Sequence, residues 1–210
     1  IDLYQKLQKM AIPIVFINAG YQNVADVSVI SDDSEAIYRA TNYLISKGHH
    51  RIVGVFQVDD QQGVNRLDGY MKAYQAHSAL LTDCMPMMYK SDDVTQALHQ
   101  INELVVQSPT KRPTAIIAYN DQLAIRIIAM IHDLGLRVPE DISVMGFDDF
   151  QLSQYLSPRL TTMTHEKQRM GQDAAKLLIQ KINHHKVASI IYRPELIERD
   201  SVKDLSVQDD

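Results

Sequence analysis

Two short apolar runs, at 115–118 (AIIA) and 142–145 (ISVM), are separated by one long amphipathic stretch, and each is followed by paired polar residues. Runs this short and uninterrupted suit strands buried on both faces of a parallel sheet, and the stretch between them is long enough to be the crossover helix. Residues 115–150 therefore read as one βαβ unit. Asn120 and Asp121 follow the first strand and Asp148 and Asp149 the second. Both pairs then project from the carboxyl edge of the sheet, where open α/β folds place their ligands. The same residue types are favoured helix caps, because their side-chain oxygens accept the free N–H groups of a first turn. Local chemistry alone leaves capping and ligand contact equally open, both for Asn120-Asp121 and for Asp148-Asp149 ahead of 150–155.

The 210 residues are 45% hydrophobic and 22% charged, enough to bury a substantial core in one or two domains. A single cysteine, Cys84, excludes an internal disulfide, and no apolar run is long enough for a membrane span or a signal peptide. A cytoplasmic setting is expected. The net charge is −5 and the basic residues are scattered, so the chain is not expected to track a phosphate backbone by itself.

The rest of the sequence alternates in the same way. Strands are expected at 12–17, 27–30, 52–56 and 85–89, and helices at 1–10, 33–47, 65–77 and 94–107. After the central unit, 161–164 is extended, 168–183 helical and 195–199 a last strand, with the polar 201–210 expected to fray. The fold class is α/β.

Rival chemistries leave little trace. The eight glycines form neither G-x-G-x-x-G nor G-x-x-x-x-G-K-S/T, so the usual phosphate cradles are missing. His49-His50 and His184-His185 are adjacent rather than four apart, and CxxC and HExxH are absent. Cys84 lies in the apolar run CMPMM and there is no G-x-S-x-G elbow. Neither a metal, a cofactor nor enzymatic activity is expected. The acid pairs Asp32-Asp33, Asp59-Asp60 and Asp92-Asp93 read mostly as first-turn charges favoured by helix dipoles.

The strings YNDQLAI (119–125), VPEDISVMGFDD (138–149) and SPRLTTMTH (157–165) resemble the effector-binding core of the lactose/galactose repressor family, in order, over about 12–201. That resemblance implies a type I periplasmic-binding-protein-like fold: two doubly wound parallel-sheet lobes joined by three crossing strands, with the ligand closed between them. On that plan 1–30 and 164–187 belong to the first lobe, and 31–162 and 190–210 to the second. Two strands and two helices are recognisable in the first lobe, which is therefore expected to be truncated, with further elements and a DNA-binding module lying before residue 1. Segments 56–70 (FQVDDQQGVNRLDGY), 164–179 and 193–201 further resemble an arabinose-responsive branch that joins this core to a winged-helix domain of the gluconate-repressor type. The implied partners are L-arabinose, a second copy of the chain in a homodimer, and operator DNA only through the separate DNA-binding domain.

The resemblance also implies site residues. Arg66 matches an arginine that reaches the ligand from the second lobe, and its guanidinium can donate two parallel hydrogen bonds to adjacent sugar oxygens; a surface helix arginine is the plainer reading. Asp148 matches an acceptor for sugar hydroxyls, and Asn120 can donate and accept at once. Weaker candidates are Asn18, which could equally form a turn with Gly20, His165 beyond a crossing strand, Asp60 and Gln61 in a loop ahead of Arg66, and Tyr119, which with Phe147 or Tyr89 could offer an apolar face or simply fill the core. The expected function is the sugar sensor of a transcriptional repressor. The alternatives are a sugar-binding protein of a transporter and, less favoured, an α/β enzyme acting on a sugar.

Overall fold

A computed structural model describes residues 2–20 and 27–207. Ile1, which opens the first expected helix, and the last three residues of the expected frayed tail lie outside the described residues. The chain divides into two compact units, Ile1–Asp32 with His165–Pro194 and Asp33–Thr164 with Glu195–Asp210.

Unit 1 contains helix α1 (Asp2–Lys9) and strands β1 (Val15–Ile17) and β2 (Val27–Ser31). Unit 2 begins with α2 (Asp33–Ser46), β3 (Ile52–Gln57), α3 (Gln61–Ala76), β4 (Cys84–Tyr89) and α4 (Val94–Val105). It continues with β5 (Ala115–Ala118), α5 (Asp121–Asp133), β6 (Ser143–Phe147) and β7 (Thr161–Met163). Unit 1 resumes with α6 (Lys167–Ile182) and β8 (Ile190–Tyr192), and β9 (Leu196–Ile197) returns to unit 2.

Among the described residues, the six strands of unit 2 run β4-β3-β5-β6-β7-β9, all parallel except β9. Setting β9 aside, this is the doubly wound order 2-1-3-4-5, whose direction reverses between β3 and β5. Alternate residues of each strand feed two cores. Val53, Val55, Ile116, Ala118 and Val144 meet Ala97, Ile101, Leu123, Ile127 and Ile131 of α4 and α5. Ile52, Phe56, Ile117, Met145 and Phe147 meet Ala36, Ile37, Leu44, Tyr70 and Tyr74 of α2 and α3 on the other face. Burial on both faces explains why these strands lack apolar-polar alternation in sequence.

Unit 1 has a parallel sheet in the order β1-β2-β8. Val29 is sealed by Met170, Ala174 and Leu177 along α6, while Tyr4 of α1 meets Phe16 edge-on at 4.9 Å. Strand β8 corrects the expectation that residue 190 onward belongs to the second lobe: Ile190–Tyr192 pairs with β2, and only from Glu195 does the chain rejoin unit 2. Three apolar residues between polar stretches carry too little periodicity to reveal a strand.

The tail is also better ordered than its polarity suggests. Ser201 is fully buried, accepts from Thr161 N–H at 2.8 Å and donates to the Val144 carbonyl at 2.6 Å, and Leu205 N–H reaches the Lys47 carbonyl at 2.7 Å. Main-chain partners, which composition does not reveal, hold it against unit 2.

Candidate functional site

The reversal between β3 and β5 opens a crevice at the carboxyl ends of both strands, and the segments leaving those strands meet there. Asp60 follows β3 and caps α3: its Oδ1 accepts Gly63 N–H at 2.6 Å. Its Oδ2 accepts the Tyr119 phenol at 2.6 Å and the Gln57 amide at 2.9 Å. Burial, then the bond to Asp60, pushes the Tyr119 phenol well above its ordinary range. Gly63 is required here because a Cβ would overlap the Gln57 carbonyl oxygen, so glycine lets the first turn of α3 sit against the end of β3.

One turn on, Arg66 is only 2% exposed, which contradicts the surface reading of this arginine. Nε and Nη2 both donate to Asp33 Oδ1 at 3.0 Å, Nη1 donates to the Tyr119 carbonyl at 2.6 Å, and the guanidinium lies 3.7 Å from the Phe147 ring centroid. Nη2 is 3.9 Å from Asp148 Oδ1. Arg66 thus ties the ends of β5 and β6 to the start of α2, and Asp148, 22% exposed, is the end of this relay that reaches solvent.

Asn120 is the N-cap of α5: Oδ1 accepts Leu123 N–H at 2.9 Å, which leaves the amide nitrogen as the group able to face a ligand. Capping and ligand contact are therefore compatible here. Asp148 and Asp149 do not cap the next segment. They adopt φ of 110° and 45°, and Asp121 accepts Phe150 N–H at 2.7 Å at the start of that segment instead. Asp149 is held by Arg199 at 2.7 Å.

Gln61 is a correction: it is the first residue of α3, not part of a loop, and its amide bonds Asn65 one turn along the helix at 3.0 Å. The loop ends earlier because Asp60 supplies the cap. Asp60 itself has three donors, so its carboxylate shapes the crevice. Phe147 is fully buried beneath Arg66, and Tyr89, 8% exposed, meets Tyr119 edge-on at 6.4 Å, so both are core residues. In unit 1, Asn18 has φ 55° after β1 and its side-chain oxygen lies 3.2 Å from His165 Nε2.

Sequence reasoning missed Asp33 and the use of Asp121. Both belong to acid or amide pairs, and only the pairing of α2 with α3 and of β6 with β7 shows which member turns inward. Among the described residues no cluster suited to a metal ion occurs, and no helix is long and apolar enough to cross a membrane.

Residues 41–202 match the family model of the periplasmic binding protein-like domain. The chain belongs to that family. The arabinose metabolism transcriptional repressor of Geobacillus stearothermophilus is 41% identical to this periplasmic binding protein-like domain over 206 residues, covering 96% of the chain and 57% of that protein. The HTH-type transcriptional repressor PurR of Vibrio atlanticus is 32% identical over 215 residues, covering 98% and 63%. A regulatory protein of LacI family from Chloroflexus aggregans superposes with a TM-score of 0.84 at 28% identity, covering 94% of this chain and 71% of that one. Within its family, the domain is of the LacI-family effector-binding type. It spans 57% and 63% of the length of the two repressors.

Proposed function

We propose that this domain is the sugar sensor of a transcriptional repressor and that its effector is L-arabinose. The observation that carries the reading is the Asp148 carboxylate, partly exposed at the carboxyl edge of the unit 2 sheet with the Arg66 guanidinium 3.9 Å behind it. A carboxylate held this way accepts hydrogen bonds from sugar hydroxyls and repels phosphate. The Asn120 amide nitrogen adds a donor at the same edge of the sheet, and the Tyr119 ring, steadied by Asp60, offers an apolar edge. Arg66, hydrogen-bonded to Asp33 and the Tyr119 carbonyl, supplies a positive charge behind Asp148. Arabinose, rather than another neutral polyol, is suggested by the name of the Geobacillus stearothermophilus relative.

Such a sensor works by linkage. The sugar shifts the protein between two states only as far as its affinity for them differs, and DNA affinity follows. The same reading makes the protein a cytoplasmic homodimer that reaches operator DNA through a separate DNA-binding domain. The regulators among its relatives support this over the transporter alternative and over enzymatic turnover.

A thermal-shift series with L-arabinose, other monosaccharides, a sugar phosphate and a nucleotide tests the reading. A ligand specific to the native state adds about 2.7 kcal/mol at a hundredfold excess over its dissociation constant. L-Arabinose is expected to stabilise most. Preferential stabilisation by the phosphate or nucleotide, or none by any monosaccharide, overturns the proposal.

A further inference from the structure

Asp148 and Asp149 are two successive non-glycine residues with positive φ, 110° and 45°. Such backbone is costly and persists only where its surroundings over-determine it. The surroundings here converge on Asp121, 1% exposed at the start of α5. Its Oδ2 accepts Phe150 N–H at 2.7 Å and the Ser153 hydroxyl at 2.6 Å, and its Oδ1 accepts the Thr162 hydroxyl of β7 at 2.6 Å. Strand β6 makes room for this carboxylate, because a Cβ at Gly146 would overlap Oδ1.

We propose that Asp121 is a positioning residue whose carboxylate ties the loop after β6 to β7 and so holds the Asp148–Asp149 turn in the shape that presents Asp148 to the effector. The choice of residue supports this. Asparagine would avoid desolvating a charge, but its NH2 group would force the Thr162 or Ser153 hydroxyl to turn and accept, whereas a carboxylate accepts from all three donors. Burial raises the carboxyl's pKa even so, against all three hydrogen bonds, with Asp148 adding to the rise. A carboxyl buried at that cost, with a partner on each oxygen, marks a position where the geometry matters. The opposite side of the turn is pinned by Arg199, which donates to Asp149 at 2.7 Å and to the Leu160 carbonyl at 2.8 Å.

The inference rests on Asp148 being a sugar contact, so the test has two independent readouts in the full chain: calorimetric affinity for L-arabinose, and amide hydrogen exchange across 147–153. Asp121→Asn is expected to weaken binding at least tenfold and to speed exchange in that segment. Ile127→Val, a core variant of α5, is expected to lower the thermal midpoint while leaving both readouts at wild-type values. If Asp121→Asn proves too unstable, Ser153→Ala removes one arm and should move both readouts the same way by less. Wild-type exchange, or affinity within twofold of wild type, overturns the inference. If the wild-type chain binds no L-arabinose, the arabinose assignment fails, and exchange alone decides whether Asp121 holds the turn.

Discussion

Arg66 and Asp33 form a buried ion pair in which two guanidinium nitrogens share one carboxylate oxygen, each at 3.0 Å, with side chains 2% and 4% exposed. Removing one partner strands a charge in the core, a change that costs about 3–5 kcal/mol, whereas replacing both with apolar residues of similar volume can be neutral. Arg66→Ala and Asp33→Ala should each destabilise unit 2 on that scale in urea unfolding, and Asp33→Leu with Arg66→Met should recover much of the loss. Single variants that unfold like wild type would show that the pair does not organise this edge.

Asp148 offers a cleaner probe of binding than Arg66. Asparagine tolerates positive φ and keeps the side-chain shape, so Asp148→Asn removes the charge with little backbone penalty. Affinity for L-arabinose should fall by about 1.5–3 kcal/mol, the scale of a hydrogen bond to a charged group, with the unfolding midpoint nearly unchanged. Wild-type affinity by calorimetry would take Asp148 out of the site.

Gly63→Ala tests the close approach of α3 to β3. The new methyl would meet the Gln57 carbonyl oxygen, which cannot move without disturbing the sheet. The first turn of α3 must then shift, opening the Asp60 cap and displacing Arg66. A loss of about 1–3 kcal/mol or more is expected, as for an overpacked core, together with weaker sugar binding. Gly171→Ala, in α6 where a Cβ meets nothing within 4 Å, is the control and should be tolerated.

The doubly wound unit was legible because its strands are continuous apolar runs, as at Ala115–Ala118, and its helices carry clear periodicity, as along Asp33–Ser46. The carboxyl-edge position of Asn120 and Asp148 followed from that alternation alone. What stayed hidden depends on contacts distant in sequence. Whether Arg66 faces solvent or core is decided by Asp33, 33 residues earlier, and whether Asp60 binds ligand or phenol is decided by Tyr119, 59 residues later. Strand β8 was invisible because three residues cannot show a period, and the anchoring of Ser201 and Leu205 because their partners are main-chain groups of β6, β7 and Lys47.

His49 gives unit 2 a pH dependence of definite sign. The ring is 1% exposed, with Nε2 at 2.9 Å from the Lys203 carbonyl and 3.2 Å from the Ser143 hydroxyl. A carbonyl only accepts, so Nε2 carries the proton of the neutral ring. Burial pulls the imidazole pKa down, and the bond to Lys203 offsets this only in part. The unfolded chain, titrating near about 6.5, then binds a proton that the folded chain refuses. Stability from this group is fully present above about 6.5 and is lost as pH falls toward the folded value, because stability rises with pH wherever the unfolded state holds more protons. Urea unfolding between pH 7.5 and 5.5 should therefore show a steeper acid loss in wild type than in His49→Gln, whose amide can still donate to Lys203 without titrating. Identical slopes in the two proteins would show that His49 is not the group responsible.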